Sequence, residues 1–377
     1  MHHPRSLVLA GLLALGSAAV HAQAPDPAAL QAEIAAARLD PGRAVTLKNV
    51  KLGVGLGTLR LEEGVLIPAS PVGGKTVEMV FLGKGRLEVE PPDAVEAGQL
   101  ELFTGGSRLD MEFKDAVLVV GLDAAVSALL KKPAAQADAG TVRRGEELYA
   151  SWKGRKERKL LNAERGILLD AMGDPAAAGY FAALFRGSEL GDFLYMVEPD
   201  GQEQVSLGRF VPLDVTEKEK RQISKQLARE QRKGRLLGMD LDDLGQWDTW
   251  LSAPLRNAQG KPVPGAPTFE PKKYTLEVDL GDGARKLSGR AKVELEPVVA
   301  GSRAVLLRLP SDFQVQKVTD AKGEPLFFHR NDEEITVILS RVPAAGETAT
   351  VNLEYGGSAV EKDWNLYTLR DTMGWYP

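Results

Sequence analysis

The chain contains no cysteine and only four histidines in 377 residues. The first absence excludes disulfides, thiolate metal ligands and thiol nucleophiles. The second bears on metal chemistry, because His2, His3 and His21 lie in or beside an N-terminal segment that reads as removable, which leaves His329. A zinc hydrolase takes three protein ligands, commonly nitrogen donors, and keeps one position open for water. One histidine without cysteine does not supply the usual set. A basic excess is lacking as well: 47 Lys and Arg stand against 52 Asp and Glu, a net charge of −5, so nothing marks the chain as a nucleic-acid binder.

What is present begins with a leader. Arg5 precedes an apolar run from Leu7 to Val20, and Val20-His-Ala22 or Ala22-Gln-Ala24 places small residues at the cleavage positions of a secretory signal peptide. The run is too short for the ~20 residues that cross a bilayer, and no second stretch is long enough. Residues 1–24 are therefore expected to be a signal peptide, and the chain to be exported, periplasmic or secreted from a bacterium, folding without disulfides. Losing Arg5 with the leader makes the balance one unit more acidic. About 350 residues remain, enough for two or three domains.

A short helical stretch, Ala28 to Leu39, is stopped by Asp40-Pro-Gly42. Alternating segments come next: Ala44 to Leu52, Gly57 to Leu61, Gly64 to Ile67, Lys75 to Leu82, Gly85 to Glu90, Gln99 to Phe103 and Arg108 to Val120. They read as strands joined by Gly-rich turns, a β-rich N-terminal domain over 25–130. Lys131 to Thr141 reads as a linker or loop. Residues 141–252 read as a mixed α/β portion, helical from Arg143 to Met172 and then hairpin-like from Tyr180 to Phe210 around Glu198-Pro-Asp-Gly201. Thr216-Glu-Lys-Glu219 has capping-box form and opens a basic helix that ends near Gly234. A Pro-rich linker over 253–271, with Pro262, Pro264 and Pro267, leads into the last module.

Several motifs invite chemistry and read more simply as structure. Gly53-Val-Gly-Leu-Gly57 has the look of a phosphate loop, but Thr58-Leu-Arg-Leu61 continues as a strand, without the helix N-terminus that would hold a phosphate. The segment from Glu217 to Arg235 carries eight Lys or Arg against three Glu, the pattern of a solvated helix face, and membrane surface contact is not expected of it. Asp240, Asp242 and Asp243 lack the closing glutamate of a calcium loop. His329 has no positioned nucleophile near it in sequence, and strand geometry points Glu333 and Glu334 to opposite sides, away from acid/base pairing.

From Lys273 onward the pattern is again that of half-buried strands: Tyr274 to Leu280, a Gly-Asp-Gly turn, Leu287 to Glu296, Ala304 to Leu309, Phe313 to Val318, Ile335 to Leu339 and Thr348 to Tyr355. The spacing indicates an antiparallel sandwich or saddle. The fold class expected is thus mainly β with an α/β portion: an antiparallel β-sandwich or saddle at the C-terminal end, preceded by a separate β-rich region with helical additions. The pieces Tyr274-x-Leu-x-Val-x-Leu280, Leu287-Ser-Gly-x-Ala-x-Val-x-Leu295, Leu306-x-Arg-Leu309, Leu353-Glu-Tyr355-Gly-Gly357 and Trp375-Tyr-Pro377 stand in the order found in one family. In them residues 272–360 resemble the N-terminal β-domain of the M1 family of zinc aminopeptidases, covering about a quarter of the chain. Each piece alone is only a strand pattern; the order is what resembles. Phe81-Leu-Gly-x-Gly-Arg-Leu-x-Val-x-Pro-Pro92 is similar, more weakly, to an extra N-terminal region in large bacterial members.

The resemblance implies a catalytic domain after this β-domain, with a His-Glu-x-x-His helix, a distant Glu ligand and a Gly-x-Met-Glu-Asn loop, none of which occurs in this sequence. It further implies that zinc belongs to that domain and no cofactor to this chain. The partners implied are the chain's own downstream domain and, in the complete protein, a peptide substrate. Catalytic and metal-binding residues are accordingly expected to be absent from this sequence. Residues 361–377 would begin the connection, and Trp364, Tyr367, Trp375 and Tyr376 are candidate domain-interface residues. Packing of these aromatics back onto the preceding sheet stands beside that reading. So does a second function, a stand-alone exported β-rich binding or scaffold protein. In a chain extended past residue 377, docking predicts a blue shift of tryptophan emission; unchanged emission would favour packing onto the sheet.

Overall fold

A computed structural model describes residues 25–377 except 122, 202, 213–220, 226–227, 230–244, 258, 266, 281–286, 358–359, 364–365 and 370–376. Strands β1 (Val45–Val54), β2 (Gly57–Pro68), β3 (Glu78–Val89), β4 (Leu109–Val120), β5 (Phe181–Ser188), β6 (Gly191–Val197), β7 (Val205–Pro212) and β8 (Gly245–Ala253) form one antiparallel eight-stranded sheet in chain order. Helices α1 (Pro27–Ala36), α2 (Ala94–Thr104), α3 (Asp123–Leu130), α4 (Ala139–Gly154), α5 (Lys156–Leu160) and α6 (Ala163–Ala171) cover it.

Side-chain alternation explains the two-sided sheet. On β4, Ala116, Leu118 and Val120 join one core while Val117 and Val119 join another; on β5, Phe181, Ala183 and Phe185 separate in the same way from Ala182 and Leu184. Strands buried on both faces read as unbroken apolar runs, which is why these segments lose the polar-apolar alternation. The first face is closed partly by curling of the sheet itself, since the Tyr195 hydroxyl on β6 donates to the Val54 carbonyl at the end of β1 at 2.6 Å. Phe113, Phe185, Phe193 and Trp250 line that interior with ring centroids 4.7, 4.9 and 6.0 Å apart in turn. The second face carries α1, α4 and α6, with Leu30, Trp152 and Ile167 buried in its core.

Two expectations from sequence change here. Gln99 to Phe103 is not a strand but part of α2, capped by the Asp93 carboxylate, which accepts from the Val95 and Glu96 amides, and ended by Gly105 in left-handed geometry. Residues 131–141 do not interrupt the sheet: β4 pairs directly with β5, from Asp115 with Arg186 to Val120 with Phe181, and the intervening helices form its cover. The regions 25–130 and 141–252 therefore share one sheet. An eighth strand, β8, was not legible because its outward positions are polar while Trp250 and Leu251 are buried. The Gly53 to Gly57 motif is the β1–β2 hairpin, with Val54 opposite Gly57 and Gly55 at φ 58.

The C-terminal module is an antiparallel sandwich. Strands β9 (Phe269–Leu280), β10 (Leu287–Pro297), β12 (Phe313–Thr319) and β15 (Ala349–Gly357) form a sheet in the order β12-β15-β10-β9. Strands β11 (Ala304–Arg308), β13 (Phe327–Asn331) and β14 (Glu334–Ile338) form a second, ordered β11-β14-β13. Val293, Leu307, Phe313, Ile335 and Tyr355 belong to the core they share. A small hairpin, β16 (Val360–Asp363) with β17 (Leu366–Leu369), comes after them. No helix among the described residues is long and apolar enough to cross a membrane. Truncating Phe185 to Ala is expected to cost about 3–5 kcal/mol of unfolding free energy, measurable by urea denaturation; a loss below about 1 kcal/mol would show that the aromatic row is not a close-packed core.

Candidate functional site

The two units meet where the outer side of the three-stranded sheet lies on the helical layer. Ala304 of β11 and Ile338 of β14 join the core beneath α6, and Phe327 of β13 packs against it. Around this apolar contact the polar groups are paired across the junction. The buried Asp174 carboxylate accepts from the Ser302 hydroxyl and from the Arg303 amide, both at 2.9 Å. Asn162 stands at the N-cap of α6 in left-handed geometry, which asparagine tolerates, and its amide donates to Glu334 at 2.8 Å. Asn331 in turn donates to the Lys159 carbonyl and to the Asn162 side-chain oxygen.

Arg165 on α6 is the centre of this junction and is only 3% exposed. Its Nε donates to Thr336 of β14 at 3.1 Å, and Nη1 donates to Glu198 at 2.8 Å and to Asp200 at 3.2 Å. Nη2 completes a two-pronged pairing with Asp200. Glu198 and Asp200 sit on the β6–β7 turn, whose Gly201 amide returns to the Glu198 carbonyl. Burial pushes the Glu198 carboxyl up to about 7; Arg165 opposes that rise, while the neighbouring charges of Asp200 and Glu334 add to it. Burial lowers the Arg165 guanidinium, but Asp200 and Glu198 together hold it above its ordinary value.

Above these groups opens a cleft of about 1170 Å³, lined by residues of both units. Lys156, Lys159 and Arg308 line it together with Asp200, Glu203 and Glu333. A carboxyl held near neutrality suits a general acid or base. Here, however, both its charge and its hydrogen bond are committed to Arg165. The arrangement can fix two β-units in one orientation and present a polar cleft between them. Among the described residues, no three His, Asp or Glu side chains are grouped so as to hold a metal ion.

Sequence reasoning passed over this junction. Glu198-Pro-Asp-Gly201 read only as a turn, and Arg165 only as one charge on a helix. The available signal was the arginine, since it stands one turn from Leu168 and Leu169 on a short helix that is buried almost throughout. Glu334 enters the junction through Asn162 and Arg308, and is not paired with Glu333 for proton transfer. His329 is buried in β13, and burial lowers its pKa. Of the candidate interface aromatics, Tyr367 lies in β17 opposite Lys362; Trp364, Trp375 and Tyr376 lie outside the described residues. The leader, the start of the basic helix and Asp240, Asp242 and Asp243 also lie outside them, while residues 221–225 are helical.

No family model matches the chain, and no curated protein matches it. Among solved structures, an M1 zinc metallopeptidase from Deinococcus radiodurans is matched at 20% identity over 24% of this chain and 21% of that one, with a TM-score of 0.22. A mutant M1 zinc metallopeptidase from the same organism, bound to a Tyr-Ser-Ala substrate, is matched at 21% identity over 26% and 22%, with a TM-score of 0.23. A two-domain M1 zinc metallopeptidase mutant bound to L-arginine is matched at 20% identity over 27% and 24%, also at 0.23. The likeness is weak, and the chain spans between a fifth and a quarter of the length of these structures.

Two measurements test the junction. Because Glu198 titrates higher in the fold than in an unfolded chain, the folded state binds the extra proton. Its contribution to stability is therefore complete below the unfolded value of about 4.3 and is lost as pH rises through about 7. Between about pH 5 and 8, Glu198→Gln should flatten the fall of the unfolding midpoint with pH; an unchanged slope would remove Glu198 as its source. Arg165→Met leaves two buried carboxylates without their counter-charge and should cost about 3–5 kcal/mol in denaturant unfolding.

Proposed function

We propose that this chain is the non-catalytic N-terminal part of an exported M1-like zinc metallopeptidase, and that it supports the peptide-binding cleft of a catalytic domain downstream of it. The observation that carries the reading is the ordered series of strand sequences from Tyr274 to Gly357, which here form β9, β10, β11 and β15 of a two-sheet antiparallel sandwich. The leader-like segment ending near Ala24 supports export to the periplasm or beyond. Among the described residues no acidic and histidine side chains group into a zinc site: one histidine lies beyond the leader region, cysteine is absent from the sequence, and Glu198 and Asp200 are committed to Arg165. Zinc and peptide hydrolysis are therefore assigned to the downstream domain.

In this reading the first unit does not hang on a flexible tether. Asp174, Asn162 and Arg165 clamp it to the outer side of the three-stranded sheet, so the sandwich would meet its catalytic neighbour as one part of a larger rigid support. Its partners would be that neighbour and, through it, a peptide; neither nucleic acid nor a membrane surface is invoked.

The decisive experiment reads the coding sequence beyond residue 377 and expresses the chain joined to the segment encoded there. A His-Glu-x-x-His helix within about 200 residues, a typical domain length, together with chelator-sensitive release of amino acids from aminoacyl anilides, is the expected result. A stop codon directly after residue 377, or a continuation without that motif, would sink the catalytic part and favour a stand-alone exported binding or scaffold protein.

A further inference from the structure

Beside the large cleft, between α5 and β13, lies a separate small pocket of about 120 Å³. Its lining is unusual in charge: Lys153, Arg155, Arg158, Lys159 and Arg330 line it with His329, and Glu164 is the one acidic residue among its described lining. Most of these cations have other work. Lys153 donates to the Ala35 and Ala37 carbonyls at the C-terminal end of α1, Arg155 pairs with Glu157, and Arg330 donates to the Leu309 and Pro310 carbonyls. None of those interactions places a counter-ion in the pocket. Lys159 is exposed and has no side-chain partner among the described residues.

Arg158 is the least satisfied group. It is 4% exposed, and its Nε and Nη2 make no hydrogen bond. Its nearest carboxylates are Glu78 at 3.4 Å, already held by the Tyr149 hydroxyl at 2.7 Å and the Trp152 indole at 3.1 Å, and Glu164 at 3.8 Å. Nε and Nη2 are themselves enclosed, so an incoming anion would reach Arg158 through Nη1, whose nearest carboxylate is Glu164 at 3.8 Å. Burial and the neighbouring Arg158 charge lower the Lys153 pKa, and burial lowers that of His329, with Arg165 adding to the effect and Glu164 opposing it.

We infer that the pocket between α5 and β13 binds a small tetrahedral oxyanion of the phosphate or sulfate class, held by Arg158 and Lys159 and flanked by His329. The volume accommodates such an anion together with water, since one water needs only about 10–15 Å³ of such space. Because α5 belongs to the first unit and β13 to the sandwich, the bound anion bridges the two. This holds whether or not a peptidase domain lies downstream.

The test adds inorganic phosphate to the full chain and compares it with chloride and acetate at equal ionic strength, by thermal unfolding and titration calorimetry. Phosphate should raise the unfolding midpoint and bind at one site per chain. Lys159→Ala, a change at an exposed side chain, should weaken binding by about tenfold, the worth of one charge-assisted hydrogen bond. Arg158→Lys, which keeps the charge beside Glu78, should weaken it as well, since an ammonium does not reproduce the guanidinium fork. Equal stabilisation by chloride would overturn the site, and equal stabilisation by acetate would overturn the tetrahedral class. Phosphate affinity unchanged in Lys159→Ala would place any binding elsewhere.

Discussion

A guanidinium taken out of water has to find its counter-charges inside the protein, and at Arg165 this requirement ties the two halves together. Its Nη atoms meet Glu198 and Asp200 on the sheet turn of the first unit, while its Nε meets Thr336 of the sandwich. The apolar contact around Ala304 and Ile338 supplies the buried area, but hydrophobic contact alone does not select one orientation. Directional bonds from Arg165, Asp174 and Asn162 do. Removing one partner would leave the others buried and uncompensated, so the pieces hold or fail together.

The same economy of charge recurs at Glu78, 2% exposed and bound by Tyr149 and Trp152 of α4. Here the helical layer is pinned to β3 through its two aromatic side chains, and Arg158 of α5 stands next to the same carboxylate. Glu78 thus ties β3 to α4 as Arg165 ties α6 to β14, each by a buried polar contact set in an apolar surround.

Much of the architecture was legible in the sequence, and the failures are physically instructive. The sandwich strands were readable because one face of each is buried, as in Leu287, Ala291, Val293 and Leu295 of β10. Helix α2 was missed because Leu100, Leu102 and Phe103 mimic strand alternation; the competing signal was Asp93 ahead of Glu96, an N-cap with an acidic first turn. Strand β8 was missed because only Trp250, Leu251 and Ala253 are buried in it. The division at residues 131–141 misled because a polar, proline-containing stretch marks a loop equally well between domains and within one. The junction was the least legible part, since its residues come from four separate segments and no periodicity announces a contact across 171 positions of chain.

The excursion between β4 and β5 has a consequence for how the first unit exists at all. Sixty residues of chain leave the sheet and return to the neighbouring place in it. Dividing the protein at the loop before α4 would therefore expose two hydrogen-bonding edges, Asp115 to Val120 of β4 on one piece and Phe181 to Arg186 of β5 on the other. Their most apolar runs, Ala116 to Val120 and Phe181 to Phe185, would lie along those open edges. Edges of that kind recruit other chains. Of the helices inserted at this point, α4 and α6 cover one face of the sheet and α3 packs on the other, and their continuity also keeps its two halves from seeking partners elsewhere.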